Sequence, residues 1–488
     1  MANDGLESPR SNEAPHTPSL ARALGPGAAL AVVVGNVIGS GIFAKPGHIA
    51  AASGDFGLII SAWIVGGLIC LLGALCFAEL AVMMPRAGGL YDYLREAFGR
   101  PVAFLFGWNE VLFNRPGSIG ALAVIFVGSM SQALDLPLGT LTRAILAIVL
   151  IASMTWVNVI GVVWGGRVQS ATTLVKAGFL GVVALLPLLV LPWAGSGYEW
   201  SKYTSTIEPP AGTTLLTRFG VVLLAVLWAY NGWHGVTQVA EEVRDPQRNI
   251  PWALLGGVGL LILLYVSANL AYHGVLSMSD LAAAKDHAAE KMVQSLLGRP
   301  GAAMMSAVIM CSTFGGINSN LLLGPRVAYA MGRDGVVFHS LGRVHARFRT
   351  PVVAIVVEAL MSVILVIASG ILVEFVSGFE DRTIFAMLTD FVIFAASLFY
   401  VLGVAAVIVL RRKHPDWNRP YRTWGYPVVP LIFLAFYAWF LFEVYRGKPF
   451  EANAGLVLIG LGIPAYYSWQ AYSRLHRGAT TPMDKVGF

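Results

Sequence analysis

Two short runs of small and polar residues interrupt otherwise apolar stretches of this chain. The first is Gly35-Asn36-Val37-Ile38-Gly39-Ser40-Gly41, the second Ala229-Tyr230-Asn231-Gly232-Trp233-His234-Gly235. Backbone groups in lipid need partners, so unwound backbone at membrane depth survives only inside protein or along a water-filled cavity. At such a break the helix that leaves presents free N–H groups and a positive dipole end, which suit a carboxylate. The helix that arrives presents free carbonyls, which suit an ammonium group. A ligand carrying both groups close together is an α-amino acid. Gly39 and Gly41 let the backbone approach it with no Cβ in the way, and Ser40 adds a hydroxyl donor. A competing reading makes Gly35 and Gly39 a GxxxG helix-packing contact, but the matched second interruption argues against it.

Ionisable side chains within apolar stretches are the next candidates, because charge at membrane depth is costly and tends to be functional. Lys176 lies eight residues into its stretch, roughly 12 Å along a helix. That is near the midplane of a hydrocarbon core about 30 Å thick, where snorkelling to the interface is difficult. Arg115 follows Glu110 by five residues and precedes Pro116, which suggests a structural or gating ion pair rather than direct ligand contact. Asp390 is a lone acid with the same two readings. Glu241 and Glu242, close to Arg244 and Arg248, read as a solvated helix end, with a cytoplasmic gate as the alternative. Neither break contains an acid, which favours small or medium neutral ligands over cationic ones unless Glu110 or Asp390 reaches the site.

The surrounding elements must hold these groups in a bilayer. Of 488 residues only 12% are charged and 56% are hydrophobic, with a mean hydropathy of +0.69. So few charges cannot cover a soluble surface of this size. The 53 glycines and 13 tryptophans also suit membrane helices and their interfaces. A span needs about 20 apolar residues, and twelve candidates are present: 27–50, 57–83, 102–130, 142–161, 168–192, 215–240, 251–275, 302–331, 351–369, 383–410, 427–446 and 452–473. Residues 1–26 are polar, rich in Pro and Ser and without an apolar core, so they read as a disordered tail rather than a signal peptide. A short surface helix is expected between the seventh and eighth spans. With the N-terminus inside, 21 of the 33 Lys and Arg fall on the cytoplasmic side and 10 outside, which predicts both termini in the cytoplasm. The breaks fall in the first and sixth spans. Five is odd, so the second unit enters the membrane from the opposite side, a mark of inverted repeats with a ligand site where the breaks meet.

Cys70, Cys76 and Cys311 all lie in apolar segments and form no CxxC pair. No metal-ligand spacing, phosphate loop or nucleophile–base motif is present, so no metal, cofactor or enzyme activity is expected, nor any nucleic-acid partner.

Several motifs then carry a resemblance. GNVIGSGIFAKPG resembles the first-span motif of the APC superfamily (amino acid–polyamine–organocation transporters), in its L-type amino acid transporter branch. Further matches are MPRAGGLYDYLREAFG at 84–99, Arg115-Pro116-Gly117-Ser118, AEEVRDPQRNIP at 240–251, FGGINSNLLLGPRVAYAMGRDG at 314–335 and RPYRTWGYPVVP at 419–430. The resemblance implies an all-α integral membrane protein of 12 transmembrane helices, a LeuT-type 5+5 inverted repeat with broken helices 1 and 6. The repeats would be 27–192 and 215–410, followed by 427–473 and a cytoplasmic tail at 474–488. It implies that amides at Gly39, Ser40 and Gly41 bind a substrate carboxylate, and that carbonyls of Val37, Trp228 and Asn231 hold the ammonium. Trp228 would close over the substrate and Trp233 would line the side-chain pocket. Ile38 and Ala229 complete the two breaks. Lys176 would meet freed carbonyls near Gly39 and replace the sodium ion of sodium-coupled relatives. Many relatives read Gly-Gly-Trp-Asn where this chain has Asn231-Gly232-Trp233-His234, which puts borrowed side-chain specificity in question. The loop around 131–141 lacks the cysteine that links eukaryotic relatives to a heavy subunit, so no such partner is expected. The expected function is secondary transport of amino acids across the cell membrane by alternating access, as exchange, uniport or proton coupling without sodium. The alternatives are an amino-acid-binding membrane sensor or receptor of the same fold, and a cationic amino acid transporter.

Overall fold

A computed structural model describes residues 24–477 apart from positions 87, 161, 193–198, 209–210, 346, 349 and 377–382. Most of the two predicted tails, 1–26 and 474–488, lies outside the described residues. Among the described residues every long element is a helix, and the β pairing is one parallel bridge between Leu24 and Val243.

The first span is two helices, α1 (Pro26–Val37) and α2 (Gly41–Ser53). α1 stops where Ile38 turns extended, with ψ of 95°. Next come α3 (Phe56–Met83), capped by Asp55 accepting the Leu58 N–H at 2.8 Å, and the short α4 (Leu90–Phe98). The third span contains a feature not visible in the hydropathy pattern. α5 (Arg100–Asn109) and α6 (Arg115–Ala133) are joined by one widened π turn over Glu110–Asn114. Pro116 explains it. Its ring lacks an N–H and would clash with the carbonyl four residues back. The wider turn, in which the Arg115 N–H reaches the Glu110 carbonyl, absorbs the mismatch.

α7 (Thr140–Ile160) and α8 (Val162–Val190) are the fourth and fifth spans. The sixth is α9 (Leu215–Tyr230), a break, and a 3-10 segment over Gly235–Glu242. α10 (Pro246–Val275) leads to α11 (Met278–Ala283) and the long α12 (Ala288–Arg333), kinked at Gly298. The segment between the seventh and eighth spans is therefore not a free surface helix. Met278, Leu281, Ala288, Ala289 and Met292 are buried, and the carbonyl of Lys285 sits where a Cβ on Gly47 of α2 would go. Its apolar residues, from α11 and the start of α12, are buried in a segment that packs on α2.

The remaining helices are α13 (Val352–Phe375), α14 (Ile384–Lys413), α15 (Val428–Gly447) and α16 (Pro449–Arg477). Eleven described stretches are long and apolar enough to cross a membrane. α16, at the position of the twelfth predicted span, has 29 residues but is diluted by Pro464, two tyrosines and the Ser468-Trp469-Gln470 run, so the count of twelve is not established. α1 packs on α8 and α10, and α2 on α9 and α11, which puts the first break at the centre.

Candidate functional site

The two breaks touch. A Cβ placed on Gly41 would lie 2.5 Å from Ala229 Cα and 2.7 Å from Ala229 Cβ, so only glycine fits there. Gly232, at φ of 95°, takes a left-handed turn within the second break. Asn36 joins the two: its Nδ2 donates to the Gly232 carbonyl at 2.8 Å, and its Oδ1 accepts from Ser319 Oγ at 2.8 Å.

Side chains meet many of the carbonyls that unwinding frees. The Tyr265 hydroxyl is shared between the carbonyls of Ala229 at 3.0 Å and Val37 at 3.3 Å. Ser312 of α12 donates to Gly39 O at 3.1 Å and lies 3.4 Å from Ile38 O. Lys176 Nζ, from a residue 1% exposed, donates to Gly35 O at 3.3 Å. Lys176 therefore serves the last turn of α1, one turn before Gly39, whose own carbonyl accepts from Ser312. Gly315 of α12 makes room, since a Cβ there would come within 2.9 Å of Lys176 Cε. The amides of Gly39, Ser40 and Gly41 lie at the start of α2, where N–H groups have no intrahelical acceptor. Ser40 Oγ is buried beside them without a protein partner.

A cleft open to solvent lies between the breaks. Val37, Gly39, Ser40 and Gly41 line it from the first break, and Trp228, Asn231, Gly232 and His234 from the second. Asn114, Arg115 and Ser118 of the third span and Asn320 of α12 face them. Three expected residues stand behind this wall. Ile38 and Ala229 are buried, Ala229 against Gly41. Trp233, 1% exposed, packs edge-on to Phe77 at 4.9 Å between ring centres. Trp228 does border the cleft, with Phe385 edge-on at 6.1 Å. Asn231 is held from α14, its Oδ1 accepting from the Tyr400 hydroxyl at 2.7 Å.

Arg115 enters the cleft already paired. Nε donates to Glu110 at 2.7 Å, Nη1 to Asn320 Oδ1 at 3.0 Å and Nη2 to Gln238 Oε1 at 3.0 Å. Glu110 also accepts from Asn114 Nδ2. The pair thus links the third span to the sixth and to α12. Asp390 lies elsewhere, 3.3 Å from Lys45 Nζ on α2 and 3.0 Å from Lys448 Nζ. Glu242 pairs with Arg326 of α12 at 3.0 Å, so that helix end is tied down rather than merely solvated.

Sequence reasoning did not place Asn114, Ser118 or Asn320 at the cleft, nor Asn36 as the bridge. For Asn36 and Asn114 a usable signal existed: an amide inside a membrane span must find a partner. The facing residues come from positions some 200 apart in the chain, which no local pattern links.

A family model described as amino acid permease matches residues 24–460. The serine/threonine exchanger SteT of Bacillus subtilis (strain 168) is 31% identical over 442 residues, covering 90% of this chain and 94% of that protein. The large neutral amino acids transporter small subunit 2 of Homo sapiens is 33% identical over 456 residues, covering 92% of this chain and 80% of that protein. The Asc-type amino acid transporter 1 of Homo sapiens is 28% identical over 455 residues, covering 92% and 82%.

Proposed function

Because the chain belongs to the amino acid permease family, we propose that it carries small or medium neutral L-amino acids through this cleft by sodium-independent alternating access. Amino acid transport by a multi-pass membrane protein is the activity its family and relatives share. The observation that carries the finer reading is the contact of Gly41 with Ala229. It sets the free amides at the start of α2 opposite the second break across one cleft.

In this reading the substrate carboxylate takes the amides of Gly39–Gly41 and the Ser40 hydroxyl. The ammonium takes the lone pairs left on carbonyls of the breaks, each carbonyl having two. Trp228 closes over the ligand. A cationic side chain would need a spare carboxylate. Glu110 is committed to Arg115 and Asn114, and Asp390 to two lysines, which favours neutral substrates. The names of the relatives point the same way. Lys176 supplies a positive charge at the first break, where sodium-coupled transporters of this fold hold their ion. Arg115 and Glu110 position the third span against the cleft.

The same reading makes 27–192 and 215–410 the two inverted halves, adds α16 as a twelfth span, and sets both termini in the cytoplasm of a cell-membrane protein. It includes no disulfide-linked heavy subunit: the connection between α6 and α7 contains no cysteine, and Cys70 and Cys76 are buried.

Purified protein in liposomes tests this. Labelled serine, alanine, leucine and lysine are offered outside, with and without unlabelled amino acid inside. Uptake of the neutral amino acids, stimulated by internal amino acid, is expected. Saturable binding with no flux would instead make the protein a receptor, and preferred lysine uptake would make it a cationic transporter.

A further inference from the structure

Glu358 lies in α13, roughly 9 Å along that helix from its first residue, Val352. It is 1% exposed, and neither carboxyl oxygen has a hydrogen-bond donor. A Cβ on Gly324 of α12 would overlap Glu358 Oε1 and lie 2.7 Å from Cδ, so the carboxyl rests directly on that helix. From the place of a helical Cβ, serine and threonine hydroxyls bond back to carbonyls three or four residues earlier. Here those carbonyls belong to Leu321 and Asn320. Pro325 has no N–H to give the Leu321 carbonyl. Carbonyl oxygens repel a carboxylate, whereas a carboxylic acid carries an O–H that they can accept.

α13 packs against α6, α7, α12, α14 and the π turn. Arg115 of α6 and Glu110 of the π turn are the charges that act on Glu358. The guanidinium is already spent on Glu110, Asn320 and Gln238. On α14, Asp390 is held by two lysines and the Tyr400 hydroxyl by Asn231. On α12, Arg326 pairs with Glu242. Arg143 opens α7, but it is the far end of α7, at the Val159 carbonyl, that meets Thr350 beside the start of α13. An ionised Glu358 would therefore be a buried charge without a partner, which protein interiors rarely hold. Drawing Arg115 over to it would loosen the bonds to Gln238 and Asn320 that tie the third span to the sixth and to α12.

We propose that Glu358 is a proton-binding site linked to closure of the cleft. Its acid form lets the third span, α12 and α13 pack as they do here. The proton comes from water, adds to one carboxylate oxygen as the helices close, and returns to water when they part. The charge it leaves behind is then met by water and by Arg115. Glu358 stands outside the cleft wall, and a proton needs no cavity. The proposal rests on the cleft being the transport site, because substrate binding is what closes it.

Calorimetry tests this on the purified full-length protein with alanine, serine and leucine. Titrations in two buffers of different ionisation enthalpy count the protons taken up on binding. The unaltered protein should take up protons. Its affinity should weaken as pH rises from about 7 to 8.5, above the range of ordinary histidines, by up to about tenfold per pH unit, the limit for one proton. Glu358→Gln keeps an N–H donor for the helix carbonyls, and Glu358→Met removes the polar group. Both should bind without proton uptake, at an affinity that stays constant over this window. Zero uptake by the unaltered protein overturns the proposal whether or not either variant folds. Undiminished uptake in a folded variant also overturns it and moves the proton to another buried group, such as Lys176 or His234. If the unaltered protein binds none of the three amino acids, the transport reading itself falls.

Discussion

Replacing Gly41 by alanine is the most direct test of the contact between the breaks. The added Cβ would sit 2.5 Å from Ala229 Cα, which is backbone and cannot rotate away. Ordinary carbon–carbon contacts lie at about 3.5–4.0 Å, so the breaks would have to part by roughly 1 Å or more. Overpacking of this kind costs about 1–3 kcal/mol. At about 1.4 kcal/mol per tenfold, the state with both breaks in contact is depleted roughly 5- to 150-fold. One effect opposes this. Alanine favours helix over glycine by up to about 1 kcal/mol, and position 41 opens α2. That gain stabilises the helix and does nothing to relieve the clash. Gly27 in α1 is the control, because a Cβ there meets nothing within 4 Å. Gly41→Ala is expected to lower uptake by about tenfold or more and to weaken substrate binding, with a melting temperature within a few degrees of the original. Gly27→Ala should match the original in uptake. Normal uptake kinetics in a folded Gly41→Ala protein would refute the assignment of the carboxylate site.

Other outcomes follow from the same geometry. Exchange of sodium for choline at constant ionic strength should leave uptake unchanged, because Lys176 Nζ already occupies the first break at Gly35 O; several-fold stimulation by sodium would favour sodium symport. Lys176→Ala should slow flux by about tenfold, about 1.4 kcal/mol of barrier, and leave affinity measured by tryptophan quenching nearly unchanged. Equal losses in both would put the lysine in the binding site, and no loss would make it a bystander. Asp390→Asn should lower the melting temperature, because removing one partner of a buried pair costs about 3–5 kcal/mol and Lys45 is only 1% exposed. Asp390→Asn with Lys45→Met should cost less than the sum of the two single changes, and simple additivity would argue that the pair is not coupled.

The features legible in the sequence were those written locally. Gly35–Gly41 and Ala229–Gly235 announce their breaks because two matched runs of glycine and amide residues inside apolar stretches fit unwound backbone in protein better than helix packing alone. The pairing of Arg115 with Glu110 was legible for the same reason, since two charges at membrane depth five residues apart have each other as the nearest remedy. The π turn that aligns them was signalled by a single proline, and hydropathy does not register it. Lys176 was legible as a buried cation near the first break, but not the carbonyl it serves. The Gly39 carbonyl is met instead by Ser312, 136 residues further along.

What distinguishes this cleft is the part that local pattern could not reveal. Asp390 finds Lys45 across 345 residues and Lys448 across 58, which removes it from the cleft. Asn36 holds the second break through Gly232 and is itself held by Ser319 of α12, so three spans meet at one amide. Arg115 draws on the third span, the sixth and α12 in the same way. A substrate bound between the breaks would add its hydrogen bonds to a network that already crosses these spans. Moving any of the three relative to the others breaks several of these bonds at once. The ligand's own contribution therefore acts on the position of whole helices, which is what coupling between binding and alternating access requires.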